Sequence, residues 1–169
     1  GYFSATADFD PGPGVYNLTS SAAEDIFITK SAPNGNLIWA KSIGDFRYQA
    51  GYAITLDPAG NIYVTGIFFG SVDFDPGPGT FNMQGISLMD AYNSKLDAQG
   101  HFGWAKRIGN TTNDYYQYIQ PRAIDIDSKG DIITTGYFLG DIDFDPGPGV
   151  YTLSNHTTGV GEAFLLKLN

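Results

Sequence analysis

The string DFDPGPG occurs three times without change, at residues 8–14, 73–79 and 143–149 of a 169-residue chain. Identity of this length, recurring in tandem, calls for a fold built from units that each use the same local shape. Other residues keep the register. Gly1, Gly66 and Gly136 align and open GYF, GIF and GYF. Asp25, Asp90 and Glu162 each stand five residues before a lysine, namely Lys30, Lys95 and Lys167. Trp39 aligns with Trp104 in WAKSIG and WAKRIG, and Gly60 with Gly130. The spacing lengthens between Gly109 and Gly130, which locates an insertion near residues 110–120. The chain therefore divides into a partial first repeat (1–24), a full repeat (25–89), a full repeat with the insertion (90–161) and the first strand of a further repeat (162–169).

Within a repeat the pattern is that of strands. DIFITKS and NLIWAKSI alternate and are joined by APNG, while YAITLD and NIYVTGIF are joined by PAG, both tight-turn sequences. Aromatic residues make up 15% of the chain, beside 22 glycines and 9 prolines, a mix that favours short strands and turns over helices. No segment sustains an apolar period of about 3.6 residues over several turns, so almost no helix is expected. Four short antiparallel strands per repeat, in tandem, predict an all-β fold of four-stranded β-propeller blades, about two full ones with partial blades at each end. So few blades cannot close a ring, and open strand edges invite pairing. The expectation is a piece of a longer array, or a chain completed by strands of a neighbour.

DIFITKSAPNGNLIWAKSIG followed by GYAITLDPAGNIYVTGIF resembles the SBBP-type β-propeller repeat of bacterial secreted and surface proteins. The resemblance rests on the lysine-containing first strand, the Trp-Ala-Lys strand, and the Asp-x-x-Gly-Asn hairpin that leads into Val-Thr-Gly. It covers nearly the whole chain. It implies a propeller and, in a DFDPGPG form expected of Bacteroidetes-like exported proteins, a location outside the cell or on its surface.

In an extended segment Asp8 and Asp10 point to one face and Phe9 to the other, and the same holds for Asp73 and Asp75 around Phe74 and for Asp143 and Asp145 around Phe144. Each phenylalanine is then a core plug, and each pair of carboxylates lies about 6–7 Å apart on the outer face. Pro-Gly-Pro-Gly reads as a tight turn, in which the aspartate before Pro-Gly accepts a backbone N–H. That explains Asp10, Asp75 and Asp145 and leaves Asp8, Asp73 and Asp143 without a role. Calcium held by Asp8, Asp10, Asp73, Asp75, Asp143 and Asp145 is the alternative, although the ligand series of a helix–loop–helix calcium loop is absent.

The formal charge of −9 argues against nucleic acid. No apolar run of about 18 residues is present, which excludes a transmembrane helix, and the start GYFSATADFD carries no leader pattern. Cysteine is absent, and His101 and His156 occupy non-equivalent positions, so no transition-metal site is expected. Paired acids that recur in every repeat do not suit a catalytic centre, and no enzyme is expected. Lys41 and Lys106 follow Trp39 and Trp104 by two residues, which reads as core tryptophan with a lysine that snorkels. Candidate ligand contacts lie in GDFRYQ and in the insertion NTTNDYYQY: Phe46, Arg47, Tyr48, Asn113, Asp114, Tyr115, Tyr116 and Tyr118. Flat aromatic faces beside amides and carboxylates suit a glycan or a surface protein. Strand parity places these loops at the same sheet end as DFDPGPG, read here as the connection between blades. The expected function is a non-catalytic extracellular binding or adhesion module. The alternative is a structural repeat that assembles with further copies of itself.

Overall fold

Each tight turn is fixed by its own residues. In DPAGN, Asp57 Oδ1 accepts the N–H groups of Ala59 and Asn61, both at 2.9 Å. In DAQGH, Asp97 Oδ1 accepts those of Gln99 and His101 at 2.8 and 2.9 Å. In DSKGD, Asp127 Oδ1 accepts those of Lys129 and Asp131 at 2.8 and 3.0 Å. The side chain takes up donors that a chain reversal leaves unpaired, and the alternating residues on either side extend each turn into a hairpin.

The computed structural model describes all residues except 87, 88, 111, 113–115, 156 and 158. The described residues form strands and turns without a helix. In chain order the strands are β1 (Tyr2–Phe3), β2 (Thr6–Asp8), β3 (Asn17–Thr19), β4 (Asp25–Ser31), β5 (Leu37–Ile43), β6 (Gln49–Leu56), β7 (Ile62–Phe68), β8 (Ser71–Asp73), β9 (Asn82–Gln84), β10 (Asp90–Leu96), β11 (Phe102–Asn110), β12 (Tyr118–Ile126), β13 (Ile132–Asp143), β14 (Thr152–Asn155) and β15 (Glu162–Leu168). Strands β1, β4 and β5 form one sheet. A larger sheet runs β6–β7–β10–β11, continues through a short pairing of Gly109 and Asn110 with Asp143 and Ile142 into β13, and is completed by β12, β14 and β15 on β13. Strand β12 packs back against β6 and β7, so the path nearly closes on itself like a barrel.

The ladder is out of phase with the sequence repeat. Strands β6, β7, β10 and β11 pair in succession over residues 49–110, whereas residues 25–89 span three sheets: that of β4 and β5, the larger one, and the two-stranded β8–β9 ribbon. A tandem repeat can be cut anywhere, and hydrogen bonding selects the cut. One expectation is corrected here. DFDPGPG does not connect sheets; it tips the β2–β3 and β8–β9 hairpins and the β13–β14 turn, all inside a sheet's own run of strands. The β8–β9 excursion returns the chain so that β10 lies beside β7, Ala91 opposite Ile67. Passage from the β1–β4–β5 sheet into the larger sheet falls instead to residues 44–48, between β5 and β6.

The core repeats with the sequence. Phe3, Phe9 and Phe27 form a triad, as do Phe68, Phe74 and Tyr92, and Phe138, Phe144 and Phe164. In each, the phenylalanine of DFDPGPG stands edge-on to the first ring, at 5.1, 5.3 and 5.4 Å, and tilted against the third, at 5.0, 4.9 and 5.1 Å. Phe74 and Phe144 are buried as the alternation requires. Such pairs contribute about 0.5–1.5 kcal/mol each beyond the area they bury.

Candidate functional site

The DFDPGPG turns use both of their aspartates. Asp8 Oδ1 accepts the N–H groups of Asp10 (3.0 Å) and Tyr16 (2.8 Å), Asp73 Oδ1 those of Asp75 (3.0 Å) and Phe81 (2.7 Å), and Asp143 Oδ1 those of Asp145 (3.0 Å) and Tyr151 (2.9 Å). The second aspartate accepts the N–H two residues on: Gly12 to Asp10 at 2.8 Å, Gly77 to Asp75 at 2.8 Å, Gly147 to Asp145 at 2.7 Å. The first aspartate thus has a role that the sequence does not reveal, pinning the far strand back onto the turn. The Tyr16 N–H, then that of Asp10, holds the Asp8 carboxyl below the usual carboxylate range. The motif's last glycine also follows from this geometry. A Cβ on Gly14, Gly79 or Gly149 would lie 2.2 Å from Oδ2 of Asp10, Asp75 or Asp145. Among the described residues, no three Asp, Glu or His side chains converge as a metal-binding group.

The predicted ligand contacts fall into three sets. Phe46 and Tyr116 stand 82% and 84% exposed. Arg47 is exposed too, its aliphatic stem against Gly70. Tyr48 and Tyr118, which precede β6 and open β12, are half-buried. Asn113, Asp114 and Tyr115 lie outside the described residues.

Tyr48 and Tyr118 are members of a larger group. The Tyr48 ring lies 6.1 Å from Tyr2 and 6.0 Å from Phe69. Its phenol interacts with that of Tyr52, and burial above all pushes both hydroxyls up from their ordinary pKa, so both stay neutral. The Arg122 guanidinium lies between two rings, 5.6 Å from the centroid of Tyr52 and 5.2 Å from that of Tyr137. Arg122 Nη2 donates to the Tyr137 hydroxyl (2.8 Å) and to Gln120 Oε1 (3.0 Å), and the Tyr137 hydroxyl donates to the same Oε1. Tyr118 stands edge-on to Tyr137 at 6.0 Å. A continuous row of rings, amide and guanidinium therefore links β1, β6, β12 and β13.

Two bulges aim this row. Gly51 pairs with Gly66 and Ala53 with Thr65, which leaves Tyr52 as the extra residue; Pro121 pairs with Gly136 and Ala123 with Thr135, which leaves Arg122. The glycines allow it, since a Cβ on Gly66 would fall 1.9 Å from the Ala50 carbonyl oxygen and one on Gly136 2.1 Å from that of Gln120. A bulge re-aims a side chain and accompanies functional sites. Sequence reading missed Tyr2, Tyr52, Gln120, Arg122 and Tyr137. The available signal was GYF at residues 1–3 and 136–138, which puts a tyrosine at the same place in two repeats.

No family model matches the sequence. Among curated proteins, the chain is 30% identical over 125 residues to an uncharacterised WD repeat-containing protein of Acanthamoeba polyphaga mimivirus. That alignment covers 72% of this chain and 9% of the relative, so the chain spans only a small part of the protein it resembles.

Proposed function

We propose that the chain is a non-catalytic repeat module of the β-propeller type, displayed outside the cell, that binds glycan on the face carrying Tyr48, Tyr52, Tyr118 and Arg122. The four-stranded run β6–β7–β10–β11, the repeated aromatic triads and the likeness to a WD repeat-containing protein support the propeller. The SBBP-like repeat and the acidic composition support display outside the cell. The observation that carries the binding reading is the row from Tyr48 through Tyr52 and Arg122 to Tyr137, with exposed rings at Phe46 and Tyr116 two residues before Tyr48 and Tyr118. Fixed rings stack on sugar faces, and a guanidinium beside an amide supplies directed donors and acceptors.

A glycan array probed with the purified chain tests this, followed by titration of any retained glycan against Arg122→Gln and Tyr115→Ala with Tyr116→Ala. Retention that these variants abolish while each still unfolds in a single cooperative transition, Arg122→Gln with only the small loss its ring contacts imply, is the expected result. An array that retains nothing would overturn glycan binding. A second reading, assembly with further copies, is favoured by β15, which pairs with β13 along one edge while its other edge has no strand against it among the described residues. Particle mass that grows with concentration, and stops growing when residues 159–169 are deleted, would support that reading.

A further inference from the structure

A groove of about 550 Å³ lies between β10–β11 and β12–β13–β15, lined by Tyr63, Lys95, Trp104, Gly130, Ile132 and Leu168, with the turn at Asp145 along its side. Its counterpart one repeat earlier holds a turn of this chain, beside a smaller cavity of about 370 Å³ that Lys30, Gly60 and Ile62 also line. There Lys30, Trp39 and Gly60 stand where Lys95, Trp104 and Gly130 stand in the groove. Lys30 Nζ donates to the Ala98 carbonyl at 2.8 Å. The Trp39 indole covers Gly100, whose φ is +81° and whose Cβ would lie 3.2 Å from Trp39 Cζ2. A Cβ on Gly60 would touch Ala98 Cβ at 3.4 Å. All three contacts engage the one glycine turn, residues 97–101, that joins β10 to β11.

In the groove the same three residues face no such turn among the described residues. The Lys95 ammonium lies 5.2 Å from the Tyr63 ring centroid, Trp104 stands edge-on to Tyr63 at 6.2 Å, and a Cβ on Gly130 would meet nothing within 4 Å. Lysines 95 and 106 both line this groove in a chain of net charge −9. The turns of this chain that would match it carry an aspartate at Asp57, Asp97 or Asp127.

We propose that the groove docks an acidic, glycine-tipped β-hairpin of the D-x-x-G kind presented by a further repeat. Lys95 donates to the carbonyl of the residue after the aspartate, that residue's Cβ rests on Gly130, and the Trp104 indole covers the glycine of positive φ. The inference is independent of glycan binding, since the groove shares no residue with the aromatic face.

The probe is a head-to-tail cyclic peptide of residues 94–105, closed at the Ser94–Ala105 pair, titrated into the isotope-labelled chain and followed by amide and indole NMR shifts. Saturable shifts centred on the Trp104 indole, Gly130 and Ile132 are expected. A peptide carrying Gly100→Val should leave them unmoved, because its turn cannot take the required φ. Lys95→Ala in the protein should weaken binding about tenfold. Because the peptide variant leaves the protein untouched, the outcome does not depend on how that protein variant folds. No shifts at millimolar peptide, equal shifts with the Gly100→Val peptide, or shifts confined to the free edge of β15 would each overturn the proposal.

Discussion

Arg122 and Tyr52 fill the same bulge in successive repeats, and the guanidinium of one lies 5.6 Å from the ring centroid of the other. The contact joins two sheet segments that share no ladder between β6 and β12. At an exposed site a cation–π pair contributes about 0.5–1 kcal/mol. A double-mutant cycle of Tyr52→Leu and Arg122→Gln, read by urea unfolding, should return a coupling in that range. Strict additivity, within about 0.3 kcal/mol, would reduce the contact to mere proximity.

Gly79 tests how the DFDPGPG turn is held. Its φ is not in the left-handed region, so the obstacle to a side chain is the Asp75 carboxylate 2.2 Å from the would-be Cβ. That carboxylate cannot swing away without loosening its bond from the Gly77 N–H. Gly79→Ala should destabilise the chain by about 1–3 kcal/mol, as overpacking does. In an Asp75→Ala background the same change should cost markedly less, because the two sites share one clash. Equal costs in both backgrounds would point to the backbone instead.

Calcium makes a separate test of the same turns. Each copy brings two carboxylates, and one oxygen of each already accepts backbone N–H groups. The melting temperature in EDTA should therefore match that in millimolar calcium. A cation bound at 100-fold saturation would add about 2.7 kcal/mol. A rise of that order, lost in Asp73→Asn with Asp75→Asn, would make the turns a cation clasp.

The all-β character and the strand segments were legible because alternation and glycine turns are local properties, written in stretches such as NIYVTGIF and DPAGN. The role of Phe74 and Phe144 was legible for the same reason, as parity alone buries them, and Phe9, only half-buried, takes the same place in its triad. The sheet phase was not. Whether β7 pairs next with β10 or with a strand of another sheet depends on where the β8–β9 excursion returns the chain, and the heptapeptide reads the same either way. Nor was the Tyr52–Arg122 pair visible, because a bulge breaks the parity that sequence reading relies on. Tyr48 and Tyr118 were found as loop aromatics, but their partners come from elsewhere in the fold, Tyr2 from β1 of the other sheet and Tyr137 from β13 beside β12.

Asp25 and Asp90 are the same residue of successive repeats, both buried, at 3% and 0% exposure, yet their surroundings differ. Asp90 accepts Arg107 Nε at 2.8 Å and the Asn110 N–H at 3.1 Å. At those two places the earlier repeat has Ser42 and Asp45. Asp25 keeps the Ser21 N–H at 3.0 Å, while its Oδ1 is buried without a hydrogen-bond partner. Burial first, with the Asp45 charge in addition, pushes the Asp25 carboxyl above the usual carboxylate range. The native state thus binds this proton more tightly than the unfolded chain does. Stability from this group is complete at acid pH and is lost as the pH rises from the ordinary carboxylate range through the raised value. Ser42→Arg places a guanidinium where Arg107 stands in the next repeat. It should raise stability near neutral pH by about 1.5–3 kcal/mol, the range for hydrogen bonds to a charged group, and flatten the decline above the carboxylate range. Urea midpoints across that pH range measure both effects. A decline as steep in Ser42→Arg as in the parent would show that the guanidinium does not reach Asp25.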